Sequence, residues 1–245
     1  MSENIIEVRN LSKKFKNHYA VNNISFDLKR GEIKGILGAN GAGKTTTITM
    51  LLGLLTPTSG SIKILSTNIS VDRHKILNKI NFSSPYVDLP KKLTVKQNLL
   101  VYGMLYGIKN INKKIKSVAK ELGFESLLDT KVGELSSGQK TRVSLGKAVI
   151  NDPEILFLDE PTASLDPDTA DRVRTFFEKF CKNHNTAIIL ASHNMEEVTR
   201  LCDTIIMMKN GKITDQGSPN SLLKKYGKKK LEDVFLKIAR DKNNS

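Results

Sequence analysis

A glycine-rich stretch that ends in a lysine and a threonine, residues 38–45, has the composition of a phosphate site. It fits the pattern G-x-x-x-x-G-K-[ST], in which the glycines let successive backbone N–H groups converge on one anion. Lys44 would contact the β- and γ-phosphates of a nucleoside triphosphate, and the Thr45 hydroxyl would complete the shell of a Mg²⁺ ion. The residues predicted to bind the nucleotide here are Gly38, Ala39, Asn40, Gly41, Ala42, Gly43, Lys44, Thr45 and Thr46.

Two adjacent carboxylates, Asp159 and Glu160, follow the apolar run 154–158. Such a run is typical of a strand covered on both faces, and open α/β sheets hold their ligands at the carboxyl ends of their strands. Asp159 is the candidate ligand of the Mg²⁺ shell, and Glu160 is the candidate base that accepts a proton from the attacking water. The alternative is an exposed acidic strand end, which a phosphate loop in the same chain disfavours.

Hydrophobic periodicity predicts the elements that must position these residues. A strand over 33–37 precedes the phosphate loop, and Ile48, Leu51, Leu52 and Leu55 after it recur at the spacing of one buried helix face. A glycine-rich turn without a ligand is the alternative, and a helix that begins where the motif needs one argues against it.

The remaining chain alternates strand and helix signals. Residues 90–150 are mostly helical in pattern, with a helix entry at 93–95, and we expect a helical subdomain inserted into the core. A crossover helix is predicted over 168–182, and Asn210-Gly211 predicts a type I′ hairpin. The further predicted strands cover residues 5–8, 24–28, 61–65, 79–82 and 187–190, and an amphipathic helix is predicted over 231–238.

Composition narrows the classes of function. No apolar run approaches the roughly 18 residues of a membrane span and the start lacks a signal peptide, so we expect a protein that is made in the cytosol and stays there. Cys181 and Cys202 are expected to be reduced structural thiols.

The net charge of +14 favours an anionic partner, but the lysines are scattered without interleaved aromatic residues, so no specific nucleic acid is expected. The dense cluster over 224–230 is interpreted as a solvated tail, with contact to anionic lipid as the alternative.

The stretch Leu135-Ser136-Ser137-Gly138-Gln139 resembles the signature sequence of ATP-binding cassette (ABC) proteins, with Ser137 where the usual form has a second glycine. The two serines offer hydroxyls, Gly138 admits a phosphate to the backbone, and a helix opening at Gln139 would direct its dipole at an anion. A helix cap with no ligand is the alternative. The resemblance implies that Ser136, Ser137, Gly138 and Gln139 bind the nucleotide of a second cassette, in a head-to-tail dimer around two ATP molecules.

Other family elements are matched residue by residue through the same resemblance. Phe15 resembles the aromatic residue that stacks on adenine, with Tyr19 as the second choice and an ordinary packing role as the alternative. Asp166 resembles the residue that reaches the partner's phosphate loop, and His193 resembles the switch histidine at the γ-phosphate. Lys44, Glu160 and His193 are therefore the predicted catalytic residues.

One family element is missing from the sequence. The family usually has a glutamine after the strand at 79–82, where this chain reads Ser83-Ser84-Pro85-Tyr86. Ser84 is the candidate to supply an oxygen in its place.

The resemblance implies an α/β fold, with a P-loop NTPase (RecA-like) core, an antiparallel β edge and an inserted helical subdomain. The predicted domains are residues 1–85 with 151–220 for the nucleotide-binding core, 86–150 for the helical signature subdomain, and 221–245 for a basic tail with a short helix. The implied function is that of the ATP-hydrolysing subunit of an ABC transporter of the exporter type, which uses ATP and Mg²⁺.

The implied partners are a second cassette, identical or not, and a separate transmembrane permease. The predicted location is peripheral, at the cytoplasmic face of the cell membrane, with permease docking around residues 83–93. The alternative function is that of a non-transport ABC ATPase acting on ribosomes or nucleic acid.

Overall fold

The computed structural model describes residues 3–84 and 88–240. The remaining residues, 1–2, 85–87 and 241–245, include the first residues of the predicted start, part of the predicted docking region and the end of the predicted tail. Within the described ranges the strands are β1 (Asn4–Phe15), β2 (His18–Lys29), β3 (Ile33–Gly38), β4 (Ser59–Ile64), β5 (Thr67–Asn68), β6 (Ile80–Ser83), β7 (Ile155–Asp159), β8 (Ala187–Ala191), β9 (Thr204–Lys209) and β10 (Lys212–Gly217). The α-helices are α1 (Lys44–Leu51), α2 (Ile69–Asp72), α3 (Val95–Leu105), α4 (Ile111–Glu121), α5 (Ser137–Val149), α6 (Pro167–His184), α7 (Met195–Leu201), α8 (Pro219–Tyr226) and α9 (Leu231–Arg240).

The chain divides into two compact units. The first unit comprises Met1–Leu77 and Ala187–Ser245, and the second comprises Asn78–Thr186. The phosphate loop lies in the first unit, whereas the acidic pair and the signature stretch lie in the second.

An antiparallel sheet in the order β2-β1-β4-β5 forms one part of the first unit. β1 and β2 pair from Asn4 opposite Lys29 to Phe15 opposite His18, so both strands are longer than the predicted segments. Ile6 and Val8 are fully buried, whereas Glu7 between them and Arg9 after them are not, which is the alternation of a sheet with one covered face. The β-rich opening predicted from the sequence is confirmed.

The strands that carry the phosphate loop run in the order β10-β9-β3-β8 in the same unit. β3 is parallel to both of its neighbours and all six of its residues are buried, Lys34 among them, as is typical of a central parallel strand. β9 and β10 form the predicted hairpin, in which Asn210 and Gly211 have φ values of 49° and 75°, as a type I′ turn requires.

The helix after the phosphate loop is shorter than predicted. Ile48 and Leu51 are buried, but Leu52 is the C-cap of α1 and Leu55 lies beyond the helix. The helix ends because Gly53 adopts φ +67° and donates its N–H to the Met50 carbonyl, while the next N–H reaches the Thr49 carbonyl. This is a Schellman motif, and the prediction of a helical face extending to Leu55 was wrong.

The second unit contains the parallel pair β6 and β7 and the helices α3 to α6. α3 begins at the predicted entry, where Thr94 and Gln97 form a capping box. α4 and α5 complete the predicted helical stretch, and α6 covers the predicted crossover helix and extends it at both ends. The helical character of residues 90–150 is therefore confirmed.

Between Ala187 and Arg240, where the structure describes every residue, the first unit contains three helices, of which only α9 was predicted. Leu231, Val234 and Ile238 of α9 are buried, which confirms the amphipathic pattern. α7 and α8 were missed, although Asn194 and Ser218 are good N-cap residues just before them. No helix within 3–84 and 88–240 combines the length and the apolar character of a membrane span.

Candidate functional site

Close packing on one side fixes the conformation of the phosphate loop. A Cβ atom added at Gly43 would lie 2.5 Å from the Ala20 carbonyl oxygen, and one at Gly38 would lie 2.7 Å from the Met208 carbonyl oxygen. Gly43 also has φ +105°, and Gly41 has φ +81°, a region that side chains disfavour. Glycine at positions 38 and 43 is thus required by contact, whereas at position 41 it is required only by the backbone conformation.

The N-terminus of α1 is open to an anion. Gly43 is its N-cap and has no side chain to occupy the first N–H groups, and the first turn contains no acidic residue. The Lys44 ammonium group donates to the carbonyl oxygens of Gly38 and Ala39 at 2.6 and 3.3 Å, so it lies over the loop. Thr45 is exposed and Thr46 is half-buried. This arrangement is able to bind a phosphate group through backbone amides, an ammonium group and a hydroxyl.

His193 leaves the sheet at the same edge as the phosphate loop. β8 is parallel to β3, with Ala191 opposite Ile36. Two positions further along the chain from each of these residues come His193 and Gly38 respectively. His193 is exposed, and its neighbours hold the connection to α7: the Ser192 hydroxyl accepts from the Asn194 N–H at 3.1 Å. The first unit therefore brings the predicted switch histidine and the predicted phosphate loop to one sheet edge.

The two candidate aromatic residues lie in the β1–β2 hairpin of the first unit. Phe15 is 48% exposed and Tyr19 is 41% exposed. The Lys13 and Lys14 ammonium groups lie 5.2 Å from the centroids of the Phe15 and Tyr19 rings respectively. Exposure of Phe15 contradicts a buried packing role and is compatible with stacking on a base, but it does not distinguish Phe15 from Tyr19.

In the second unit the acidic pair stands at the carboxyl end of β7. Asp159 is buried, and the Ser84 hydroxyl donates to its Oδ2 atom at 3.4 Å. The contact arises because β6 and β7 are parallel, with Ser83 opposite Leu158. Glu160 is half-buried and has φ +51°, a conformation that non-glycine residues adopt rarely and that is concentrated at functional sites.

The signature stretch begins a helix two residues earlier than predicted. α5 opens at Ser137 rather than Gln139, because Ser136 is the N-cap and forms a capping box with Gln139. The Ser136 hydroxyl accepts from the Gln139 N–H at 3.3 Å, and the Gln139 side chain accepts from the Ser136 N–H at 2.8 Å. Both side chains thus have a structural role, whereas Ser137 is exposed at the helix N-terminus.

The signature helix comes close to the loop after β7 at Gly138, and Asp166 follows that loop in the chain. A Cβ atom on Gly138 would lie 3.1 Å from the Ser164 carbonyl oxygen. Asp166 is the exposed N-cap of α6 and accepts from the Thr169 N–H at 3.0 Å. Hydrogen bonds from the backbone and the side chain of Thr169 hold the pKa of Asp166 below its ordinary value, so this carboxylate is charged at neutral pH.

A cavity of about 140 Å³ in the second unit joins the acidic pair to the signature helix. Ser84, Asp159 and Glu160 line it together with a polar face of α5. That face consists of Ser137, Lys140, Thr141 and Ser144, of which only Ser137 was predicted. Their i, i+3, i+4 and i+7 spacing is one side of a helix and was visible in the sequence.

Each unit contributes one predicted metal ligand, and both ligand atoms are oxygens. Asp159 supplies a buried carboxylate in the second unit and Thr45 an exposed hydroxyl in the first. In the part of the chain that the structure describes, no three His, Cys, Asp or Glu side chains cluster as a metal site. These donors fit Mg²⁺, which takes few protein ligands and fills its shell with phosphate oxygens and water.

Comparison with known proteins agrees with these features. Residues 21–163, more than half of the chain, match the family model described as ABC transporter. Nod factor export ATP-binding protein I of Rhizobium sp. (strain N33) is 35% identical over 237 residues, which cover 96% of this chain and 78% of that protein. Bacitracin transport ATP-binding protein BcrA of Bacillus licheniformis is 36% identical over 228 residues, 93% of this chain and 74% of that protein.

A solved structure described as an ATP binding subunit of an ABC transporter has the same fold. Its TM-score is 0.89 and its sequence identity is 24%, over 96% of this chain and 99% of that chain. The α/β class with a P-loop NTPase core, predicted from the sequence, is confirmed.

Proposed function

The chain belongs to the ABC transporter family as an ATP-binding subunit that hydrolyses ATP, and from this premise we propose which residues bind and cleave the nucleotide and what the subunit assembles with. The observation that carries the assignment is the phosphate loop between β3 and the open N-terminus of α1, with His193 at the same sheet edge. Residues 38–46 bind the phosphates, and Phe15 stacks on the adenine base.

Each catalytic residue has a role that its surroundings support. Glu160, held in a rare backbone conformation and facing a polar cavity, accepts the proton of the attacking water. Lys44 stabilises the charge on the β- and γ-phosphates, and His193 contacts the γ-phosphate from the same edge.

Mg²⁺ is the second cofactor in this proposal. Asp159 and Thr45 would each supply a ligand oxygen, as the family resemblance implies. The Ser84 hydroxyl, which donates to Asp159 Oδ2 at 3.4 Å, would supply an oxygen in place of the glutamine that the family usually has. When bound, Mg²⁺ neutralises the charge on the transferred phosphate.

We propose that two cassettes close on each other around two ATP molecules. The exposed Ser137 and the backbone at Gly138 contact the nucleotide of the partner cassette, with Ser136 and Gln139 fixing the helix end that does so. Asp166, exposed and charged, reaches the partner's phosphate loop. ATP favours the closed pair because it binds that state better, and hydrolysis releases it.

A separate permease completes the transporter in this proposal, and the cassette works at the cytoplasmic face of the membrane. The two relatives are named for the export or transport of different cargoes, Nod factor and bacitracin, which supports a role in transport. The names of these two relatives also disfavour the alternative function, that of a non-transport ATPase acting on ribosomes or nucleic acid.

Permease docking is assigned to residues 83–93, of which 85–87 lie outside the described residues. Lys91 is exposed and pairs with Asp88 at 2.8 Å, and Lys92 is exposed beside it. Charge reversal at Lys91 and Lys92 is expected to leave ATP hydrolysis intact and abolish its coupling to transport, measured in reconstituted vesicles. Unchanged coupling would contradict this docking surface.

We propose that the basic cluster over 224–230 is a solvated tail, with contact to anionic lipid as the alternative. Lys225 is paired with Asp215 at 2.7 Å, whereas Lys228, Lys229 and Lys230 are exposed. Three adjacent lysines contribute roughly 1 kcal/mol each near an anionic membrane surface.

The test of the proposed function is Glu160→Gln. The variant should bind ATP with Mg²⁺ at wild-type affinity, lose at least about 100-fold in turnover because the base is gone, and accumulate as an ATP-bound dimer in size-exclusion chromatography. A pull-down of this variant from solubilised membranes with ATP should recover a polytopic membrane protein. Wild-type turnover would remove Glu160 from the role of base, and recovery of ribosomes without a membrane protein would overturn the role in transport.

A further inference from the structure

A cavity of about 190 Å³ lies beside the phosphate loop, within the first unit. One wall is the loop segment Ala39–Ala42, and the second is the end of β9 with the Met207 and Met208 side chains. The third wall is α9, through Phe235, Ile238 and Ala239. The C-terminal helix, almost 200 residues away in sequence, thus faces the loop proposed to hold ATP.

The two sides of the phosphate loop are supported differently. The end of the loop is packed against the chain: the Gly211 N–H donates to the Ala42 carbonyl at 3.1 Å, and Gly43 leaves no room for a Cβ atom. The tip is open: Ala39, Asn40 and Gly41 are exposed, and a Cβ atom on Gly41 would have no neighbour within 4 Å. The tip therefore has room to move into the cavity, and α9 is the wall that limits this movement.

α9 is itself firmly held. Leu231, Val234 and Ile238 are buried, and the helix packs on α7 and α8. The Lys209 ammonium group donates to the Ile238 carbonyl at 3.2 Å, which ties the end of α9 to the strand that forms the second wall. Phe235 is half-buried at the cavity and has the largest side chain of the residues that line it.

We propose that α9 positions the phosphate loop, with Phe235 and Ile238 as positioning residues that set the affinity for ATP without touching it. The ring of Phe235 restricts the loop tip to conformations close to the one that binds phosphate. Removing the ring enlarges the cavity and lets the loop adopt more conformations when no ATP is bound. Binding of ATP must then restrict a more variable loop, which costs more conformational entropy. The inference rests on the proposed assignment of residues 38–46 to the nucleotide.

The test compares Phe235→Ala with Leu236→Ala in the full chain, using titration with a fluorescent ATP analogue and steady-state ATPase assays. Phe235→Ala should raise Kd and KM about fivefold or more, with kcat at saturating ATP within about twofold of wild type. Phe235→Leu should restore most of the affinity. Leu236→Ala, at a neighbouring position of α9 that does not line the cavity, should bind ATP as wild type does.

Two further variants keep the test decisive. Ala239→Leu adds side chain at the cavity from an exposed position and should lower Kd about twofold or more; an unchanged Kd overturns the proposal even if Phe235→Ala fails to fold. Wild-type affinity in Phe235→Ala, or an equal loss in Leu236→Ala, also overturns it. Lys44→Ala separates the two hypotheses: wild-type affinity in Lys44→Ala overturns the assignment of the phosphate loop, whereas lost affinity in Lys44→Ala with wild-type affinity in Phe235→Ala overturns only the role of α9.

Discussion

Gly43→Ala tests whether close packing, and not backbone conformation alone, shapes the phosphate loop. The position has φ +105°, which costs an alanine roughly 1–2 kcal/mol. The new methyl carbon would also lie 2.5 Å from the Ala20 carbonyl oxygen and 3.2 Å from the Met208 Cε atom, so β2 or the loop must shift, at a cost of roughly 1–3 kcal/mol. We expect the free energy of unfolding to fall by about 2–5 kcal/mol and ATP affinity to fall at least about tenfold, equivalent to about 1.4 kcal/mol.

Gly41→Ala is the matched control in the same loop. Its φ is +81°, but a methyl group there has no neighbour within 4 Å, so only the conformational cost of roughly 1–2 kcal/mol applies. The chain has no tryptophan, so unfolding in urea is best followed by circular dichroism and by tyrosine fluorescence. Equal losses of stability and affinity in the two variants would refute the argument, because contact is the feature that separates the two positions.

Three further outcomes follow from local contacts. Ser136→Ala and Thr94→Ala each remove one capping box and should each lower the free energy of unfolding by about 1 kcal/mol in urea titrations, but only Ser136→Ala should reduce ATPase activity. Burial alone would raise the pKa of Glu32, but hydrogen bonds from a threonine hydroxyl and from Lys34 bring the pKa below its ordinary 4.5. The stability that this carboxylate contributes is therefore present above pH 4.5 and lost as the pH falls. Lys34→Met leaves the threonine hydroxyl in place, so it should reduce the contribution of Glu32 to the pH dependence of stability without abolishing that dependence, measured by urea unfolding between pH 3 and 7. Ser84→Ala should lower kcat about fivefold, with ATP affinity measured without Mg²⁺ unchanged.

Motifs whose chemistry resides in contiguous residues were predictable from the sequence. The phosphate loop, the acidic pair and the signature stretch each place their functional groups within a few positions, so residue type and order suffice to indicate them. The hairpin at Asn210-Gly211 and the amphipathic pattern of α9 are equally local, and the structure confirms both. The roles of the individual site residues stay predictions until they are tested by substitution.

Boundaries were less predictable because hydrogen bonds at the ends of elements decide them. The turn at Gly53 ends α1 before Leu55, although the apolar spacing continues past it. In the same way, the side chains of Ser136 and Gln139 each accept a hydrogen bond from the other residue's backbone N–H and start α5 two residues earlier than predicted.

By itself, the sequence determined the family and the ATP chemistry of this protein, because those depend on short motifs with their own local geometry. Only the tertiary structure decided what surrounds them. Ser84 meets Asp159 because β6 and β7 pair in parallel in one register, and α9 forms a wall behind the phosphate loop because its apolar face packs on α7 and α8. Contacts between residues 75 or more positions apart depend on how whole elements pack, and no spacing within the sequence encodes them.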